Sequence, residues 1–139
     1  MDKLVVEKKI ESLRKYLLRV EQRCPDSLEV LLNDLDAQDV LVLNLSRAVQ
    51  LCVDISLHIL SSSEQPVPET MGQAFSELAA EGVISNELSE KMRKAVGFRN
   101  IAIHNYEEIN WAIVYAIAKE KLIDFKKFSE QILSEIITN

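Results

Sequence analysis

Glycine and proline are scarce, three of each among 139 residues, while 47% of the chain is apolar. So few turn-formers beside so much apolar surface disfavour both disorder and a turn-rich all-β architecture, which leaves helices as the expectation. Cysteine is nearly absent. Cys24 and Cys52 have neither metal-ligand spacing nor a disulfide-scaffold context, so they read as free thiols of a cytoplasmic protein. No uninterrupted apolar stretch opens the chain, because charged and aliphatic residues alternate from Asp2 to Glu11, and export is not expected. A bilayer span is missing too: the most apolar stretch, Val40 to Leu60, carries Asn44, Arg47, Gln50, Asp54 and His58. It reads as a buried helix, with no membrane partner.

An excess of positive charge is also lacking. The net charge of −6 argues against a protein that coats nucleic acid, since such binding comes from neutralising phosphates with Lys and Arg. The charge is unevenly spread, however. Lys91, Arg93, Lys94 and Arg99 occur without an acid between them, whereas Asp26 to Asp39 holds five acids and no base. A local basic patch can steer an anionic substrate on an acidic protein, and a solvated helix face beside an acidic loop accounts for the charges equally well.

What is present is helical periodicity across a length suited to a single domain, residues 1–139. Val6, Ile10, Leu13, Leu17 and Val20 step by four and three, predicting a first helix from about Asp2 to Gln22. Pro25 stops it, because the residue before a proline is pushed out of helical geometry. A short turn and an acidic connection lead to a second helix from about Ala37 to Ser61, with Arg47, Gln50, Asp54, His58 and Ser61 as its polar stripe. Ser61 to Pro68 reads as a loop, and Pro68 as a first-turn residue of helix three. That helix turns Met71, Ala74, Phe75, Leu78 and Ala79 inward and ends at Gly82. Helix four starts at Ser85 or Asn86, with Leu88, Met92, Ala95, Val96, Ala102 and Ile103 on its apolar face. Helix five is expected from Asn110 to about Ile137, with Tyr115, Ala118, Leu122, Phe125, Ile132 and Ile136 on one side. Glu107 and Glu108 are expected to cap the loop before it. Five helices on short connections predict an all-α antiparallel bundle.

Arg99 interrupts the apolar stripe of helix four. A buried guanidinium needs a carboxylate, a phosphate or a wet subunit interface, and the residues alone favour an ion pair to an acid elsewhere in the bundle. His104 lies five positions on, about 140° around an ideal helix from Arg99. The two converge only if the helix ends near Ile103 and frees His104, or if two copies meet across a dimer axis. The dimer solves the geometry best. Gly97 allows another chain to approach, and Asn100 lies one turn before His104, within reach to orient it. His58, on the polar stripe of helix two, reads as structural. The adjacent acids Glu107 and Glu108 make no metal site, and there is no His-x-x-x-His or Cys-x-x-Cys, so neither metal nor cofactor is expected.

The run Arg99-Asn100-Ile101-Ala102-Ile103-His104-Asn105-Tyr106 resembles the Arg-x-x-x-x-His-x-Tyr signature of HepT-like toxins in the HEPN superfamily. The likeness extends over nearly the whole chain, including the segment from Pro68 to Gly82 and the helix around Tyr115 to Phe128. It implies a HEPN-like bundle and metal-independent cleavage of RNA at a homodimer cleft. Arg99 and His104 would be the catalytic pair, supported by Asn100. It further implies neutralisation by a minimal nucleotidyltransferase antitoxin of the MntA type, which transfers AMP to Tyr106. The chemistry suits the residues independently: histidine ionises near neutral pH and can serve as base or acid, and arginine can hold a phosphorane as its charge grows. One rival is a non-catalytic HEPN module that binds nucleotide or docks on a nucleotidyltransferase; another is a plain dimeric scaffold with Arg99 salt-bridged.

Overall fold

The computed structural model describes residues 1–64 and 66–138, and these form helices and turns with no strand. Helix α1 (Lys3–Arg23) opens at Asp2, whose Oδ1 accepts the Leu4 and Val5 amides, and closes at Cys24, held extended before Pro25. Ser27 caps a one-turn helix α2 (Leu28–Leu32), and Asp34 caps the long helix α3 (Leu35–Leu60), which begins two residues earlier than its periodicity indicates. Of the loop expected over 61–68, position 65 lies outside the described residues.

Helix α4 (Met71–Ala80) corrects the expectation for Pro68, which stands outside the helix. The true cap is Thr70. Its Oγ1 accepts the Gln73 amide at 3.1 Å while Gln73 Oε1 accepts the Glu69 amide at 2.9 Å, a reciprocal clasp that fixes the helix start beyond the proline. Gly82, at φ +78°, ends the element as expected. The Val83 amide donates to Leu78 O at 2.9 Å and the Gly82 amide to Ala79 O at 3.0 Å, the paired bonds of a Schellman turn.

Ser85 caps helix α5 (Asn86–His104). A 3₁₀ turn (Tyr106–Glu108) follows, and Asn110, rather than Glu107 or Glu108, caps the next helix by accepting the Ala112 amide. The single fifth helix expected here is divided into α6 (Trp111–Ala116), one π turn (Ile117–Lys121) and α7 (Leu122–Thr138).

Helix α3 is the centre of the bundle, packing on α1, α2, α4, α5 and α7. It is apolar and long enough to cross a membrane by composition, yet 56% of its most apolar window is buried inside the fold. The buried helix read from its polar interruptions is what the structure contains. Its partner α1 runs antiparallel, since the Asp2 amide at the start of α1 donates to His58 Nε2 near the end of α3. All five residues of the α1 stripe are at most 3% exposed. Burying such side chains contributes roughly 1.5–3 kcal/mol each, enough to hold α1 along the whole of α3. Phe75 and Phe128 meet edge to face at 5.8 Å and join α4 to α7.

Candidate functional site

Where α3 and α5 lie side by side they leave an open groove of about 540 Å³. Asp39, Ser46, Arg47 and Gln50 line it from α3, with Arg99 from α5 and Tyr106 beyond its end. Arg99 is half-buried, as its place in an apolar stripe requires, but the expected ion pair is not there. Among the described residues its partner is neutral: Nη2 donates to Gln50 Oε1 at 3.0 Å, and Gln50 Nε2 donates to Asp54 Oδ1 at 2.9 Å. The relay orients both groups, and it leaves the guanidinium charge uncompensated at close range. Arg99 Nε is buried without a hydrogen-bond partner among the described residues, as is Ser46 Oγ in the same groove. Unmet donors beside an unneutralised cation suit an anion entering the groove.

Tyr106 sits at the mouth. Its hydroxyl donates to Asp39 Oδ1 at 2.7 Å, and its ring meets Trp111 edge to face at 6.1 Å. Desolvation, then the hydrogen bond to Asp39 and the charge of that carboxylate, push the phenol up to about 12. The residue is still 43% exposed, so it can be reached from outside the groove.

His104 is exposed and is the last residue of α5. The helix ends at His104, next to Ile103 as the first of the two routes requires, yet His104 is absent from the lining of the Arg99 groove. Asn100 is exposed and lines a different groove, between α4 and α5, together with Arg93, Lys94 and Gly97. No hydrogen bond joins it to His104 among the described residues. Within one chain, then, the fold brings Arg99 and Tyr106 together and leaves His104 and Asn100 outside. Ile103, read as core-facing, is 50% exposed beside the groove, while its neighbour Ala102 in the same turn is the residue that stays in the core. His58 accepts the Asp2 amide at 3.1 Å, the structural role its position indicated. No cluster of three or more His, Cys, Asp or Glu able to hold a metal occurs among the described residues. Both cysteines are free.

Asp39 and the Gln50 relay went unnoticed in the sequence. Asp39, Leu43, Ser46 and Gln50 step by four, three and four, so Asp39 and Ser46 extend the face of Gln50 toward the start of α3, with Leu43 as its apolar interruption. Following that face back past Arg47 finds them, though not which α5 residue each would meet.

A family model described as Ribonuclease HepT-like matches residues 8–132. The chain is 33% identical over 131 residues to the mRNA nuclease HepT of Shewanella oneidensis, covering 94% of this chain and 98% of the relative. It is 26% identical over 138 residues to the tRNA nuclease HepT of Aphanizomenon flos-aquae, covering 99% and 94%. Among solved structures, the tri-AMPylated Shewanella oneidensis HEPN toxin in complex with MNT antitoxin matches with a TM-score of 0.89 at 32% identity, over 96% of this chain and 99% of that one.

Proposed function

The chain belongs to the ribonuclease HepT-like family, and on that premise we propose that it is the toxin of a toxin–antitoxin pair, a metal-independent ribonuclease cleaving cytoplasmic RNA as a homodimer. The observation that carries this reading is the state of Arg99. Among the described residues its charge meets no carboxylate within ion-pair distance and its Nε lies buried without a hydrogen-bond partner, while its Nη2 is aimed by Gln50 in an open groove.

In this reading Arg99 grips the scissile phosphate, and its contacts strengthen as negative charge gathers on the phosphorane. His104 supplies the proton chemistry. The ribose 2′-hydroxyl gives its proton to one imidazole as its oxygen attacks phosphorus, and the 5′-oxygen leaves with a proton from His104 of the partner subunit. One chain cannot do both, because α5 holds a single His104 on a face turned away from Arg99. The second copy therefore completes the site, with α5 of each subunit lining a shared cleft and Asn100 near its histidine.

The relatives also suggest how activity is restrained. A nucleotidyltransferase antitoxin of the MntA type transfers AMP to Tyr106, the exposed phenol at the mouth of the Arg99 groove. The added nucleotide blocks the groove by bulk, and its phosphodiester repels incoming RNA by like charge.

The test is cleavage of RNA by purified protein in chelator. Wild type should cut. His104→Ala and Arg99→Ala should each lose at least about 100-fold while keeping helicity and dimerisation, and His58→Ala should cut normally. Intact RNA with wild type, alongside tight binding to the antitoxin, would instead establish the non-catalytic docking module. Wild-type activity in His104→Ala would refute the mechanism.

A further inference from the structure

The contact between Tyr106 and Asp39 poses a chemical problem for AMP transfer. A phenol pushed up to about 12 exists as phenolate in only about one molecule in 10⁵ at pH 7, so a preformed nucleophile is too rare to be useful. The proton has to leave while the new bond forms, and something has to take it. Among the described residues of this chain, one group is placed for that. Asp39 Oδ1 stands 2.7 Å from the phenolic oxygen, within the range of direct transfer. Asp39 also forms no ion pair among the described residues, so no cation competes for its lone pairs. The other charged groups lining the groove with it are Arg47 of α3 and Arg99 of α5, neither of which can accept a proton.

We infer that Asp39 is the general base for transfer of AMP to Tyr106, so that this protein brings its own proton acceptor to the modification and the nucleotidyltransferase supplies the held ATP. The inference rests on the reading of Tyr106 as the acceptor. In the step, the phenolic oxygen attacks the α-phosphorus of ATP. The O–H bond breaks and its proton moves to Asp39 Oδ1. The O–P bond forms, the bond from the α-phosphorus to the oxygen bridging to the β-phosphorus breaks, and pyrophosphate leaves. Transfer to a carboxylate is uphill at the start. It becomes downhill as the O–P bond grows, because an aryl oxygen bonded to phosphorus no longer holds a proton. Asp39 is exposed and afterwards gives the proton to water.

The ordinary alternative is that the hydrogen bond only pins the 3₁₀ turn to α3. Asparagine separates the two, since its amide oxygen can still accept the Tyr106 hydrogen bond while it cannot carry the proton away. The experiment incubates full-length protein with its nucleotidyltransferase antitoxin, ATP and Mg²⁺, and follows AMP addition by intact-mass spectrometry, with Tyr106→Phe as the blank. Asp39→Asn should lower the maximal rate at least about 100-fold, leave the half-saturating ATP and antitoxin concentrations unchanged, and keep wild-type helicity. Asp39→Glu, which restores a carboxylate one methylene further out, should recover part of the rate. Modification of Asp39→Asn at the wild-type rate overturns the role of Asp39 and leaves Tyr106 as acceptor. A wild type that gains no AMP, or a Tyr106→Phe that does, overturns the acceptor itself and the inference with it.

Discussion

Tyr106 is a weaker acid than tyrosine in water because its partly desolvated oxygen would have to ionise against the carboxylate it donates to. The shift has a definite sign for stability. A folded-state pKa raised from the usual value near 10 to about 12 favours the neutral phenol, so its contribution is fully present below pH 10 and is lost as pH rises toward 12. Spectrophotometric titration of wild type minus Tyr106→Phe should place this phenol near 12, and Asp39→Asn should bring it down toward 10. A phenol that titrates near 10 in the wild type would show that the contact with Asp39 is not kept in solution. The same residue shows what could be read beforehand. Tyr106 is singled out by the resemblance of the run Arg99 to Tyr106 to the family signature, which is local information. Asp39 is 67 positions away, and Gln50 is 49 away from Arg99. Such pairings depend on how α3 and α5 are rotated against each other, and periodicity tells which face is buried without telling which residues meet. For Arg99 the residues alone favour an acid as partner, and in the fold the amide of Gln50 holds the guanidinium instead.

Helix α5 carries both the chemistry and the proposed seam, and Gly97 at its middle tests the second. Glycine in a helix interior costs roughly 0.5–1 kcal/mol relative to alanine, and a Cβ at this position would meet nothing within 4 Å in this chain. The fold of one copy gives no reason for it; a second chain approaching there would. Gly97→Ala should therefore raise the thermal midpoint of dissociated protein while weakening dimerisation, and Gly97→Leu should weaken it more, as read by sedimentation over a concentration series. Dimers undiminished in Gly97→Leu would mean that the seam lies elsewhere. At this scale most of the architecture was legible. The stripes of α1, α4 and α7, the stop at Pro25 and the cap at Gly82 are statements about neighbours along the chain. The π turn was missed, though Val114, Ala118 and Leu122 carry a trace of it. Three buried residues spaced strictly by four overshoot an α-helix of 3.6 residues per turn by about 40° at each step, and one wider turn restores them to a common face.

The whole molecule, as a single chain, has an incomplete look around its groove. Leu43 and Ile103 flank Arg99 and are 48% and 50% exposed, an apolar rim about a charged centre. In the proposed dimer a second copy packs along α5, so that a two-fold axis beside that helix brings two α5 helices and two His104 to one cleft. The stoichiometry of that cleft can be measured. If each protomer cut RNA alone, mixing wild type with His104→Ala would dilute activity in proportion to the wild-type share. If one cleft needs base and acid from both copies, only wild-type homodimers cut. After full subunit exchange at equal amounts about a quarter of the activity should remain, following the square of the wild-type fraction. Mixing Arg99→Ala with His104→Ala sharpens the test. A site built from the arginine of one chain and the histidine of the other would be rebuilt once in each mixed dimer. A site that needs both histidines cannot be, so this mixture should stay inactive. Loss in direct proportion to the mutant share, or recovery on mixing the two inactive variants, would exclude the shared pair of histidines and require the acid to come from another group.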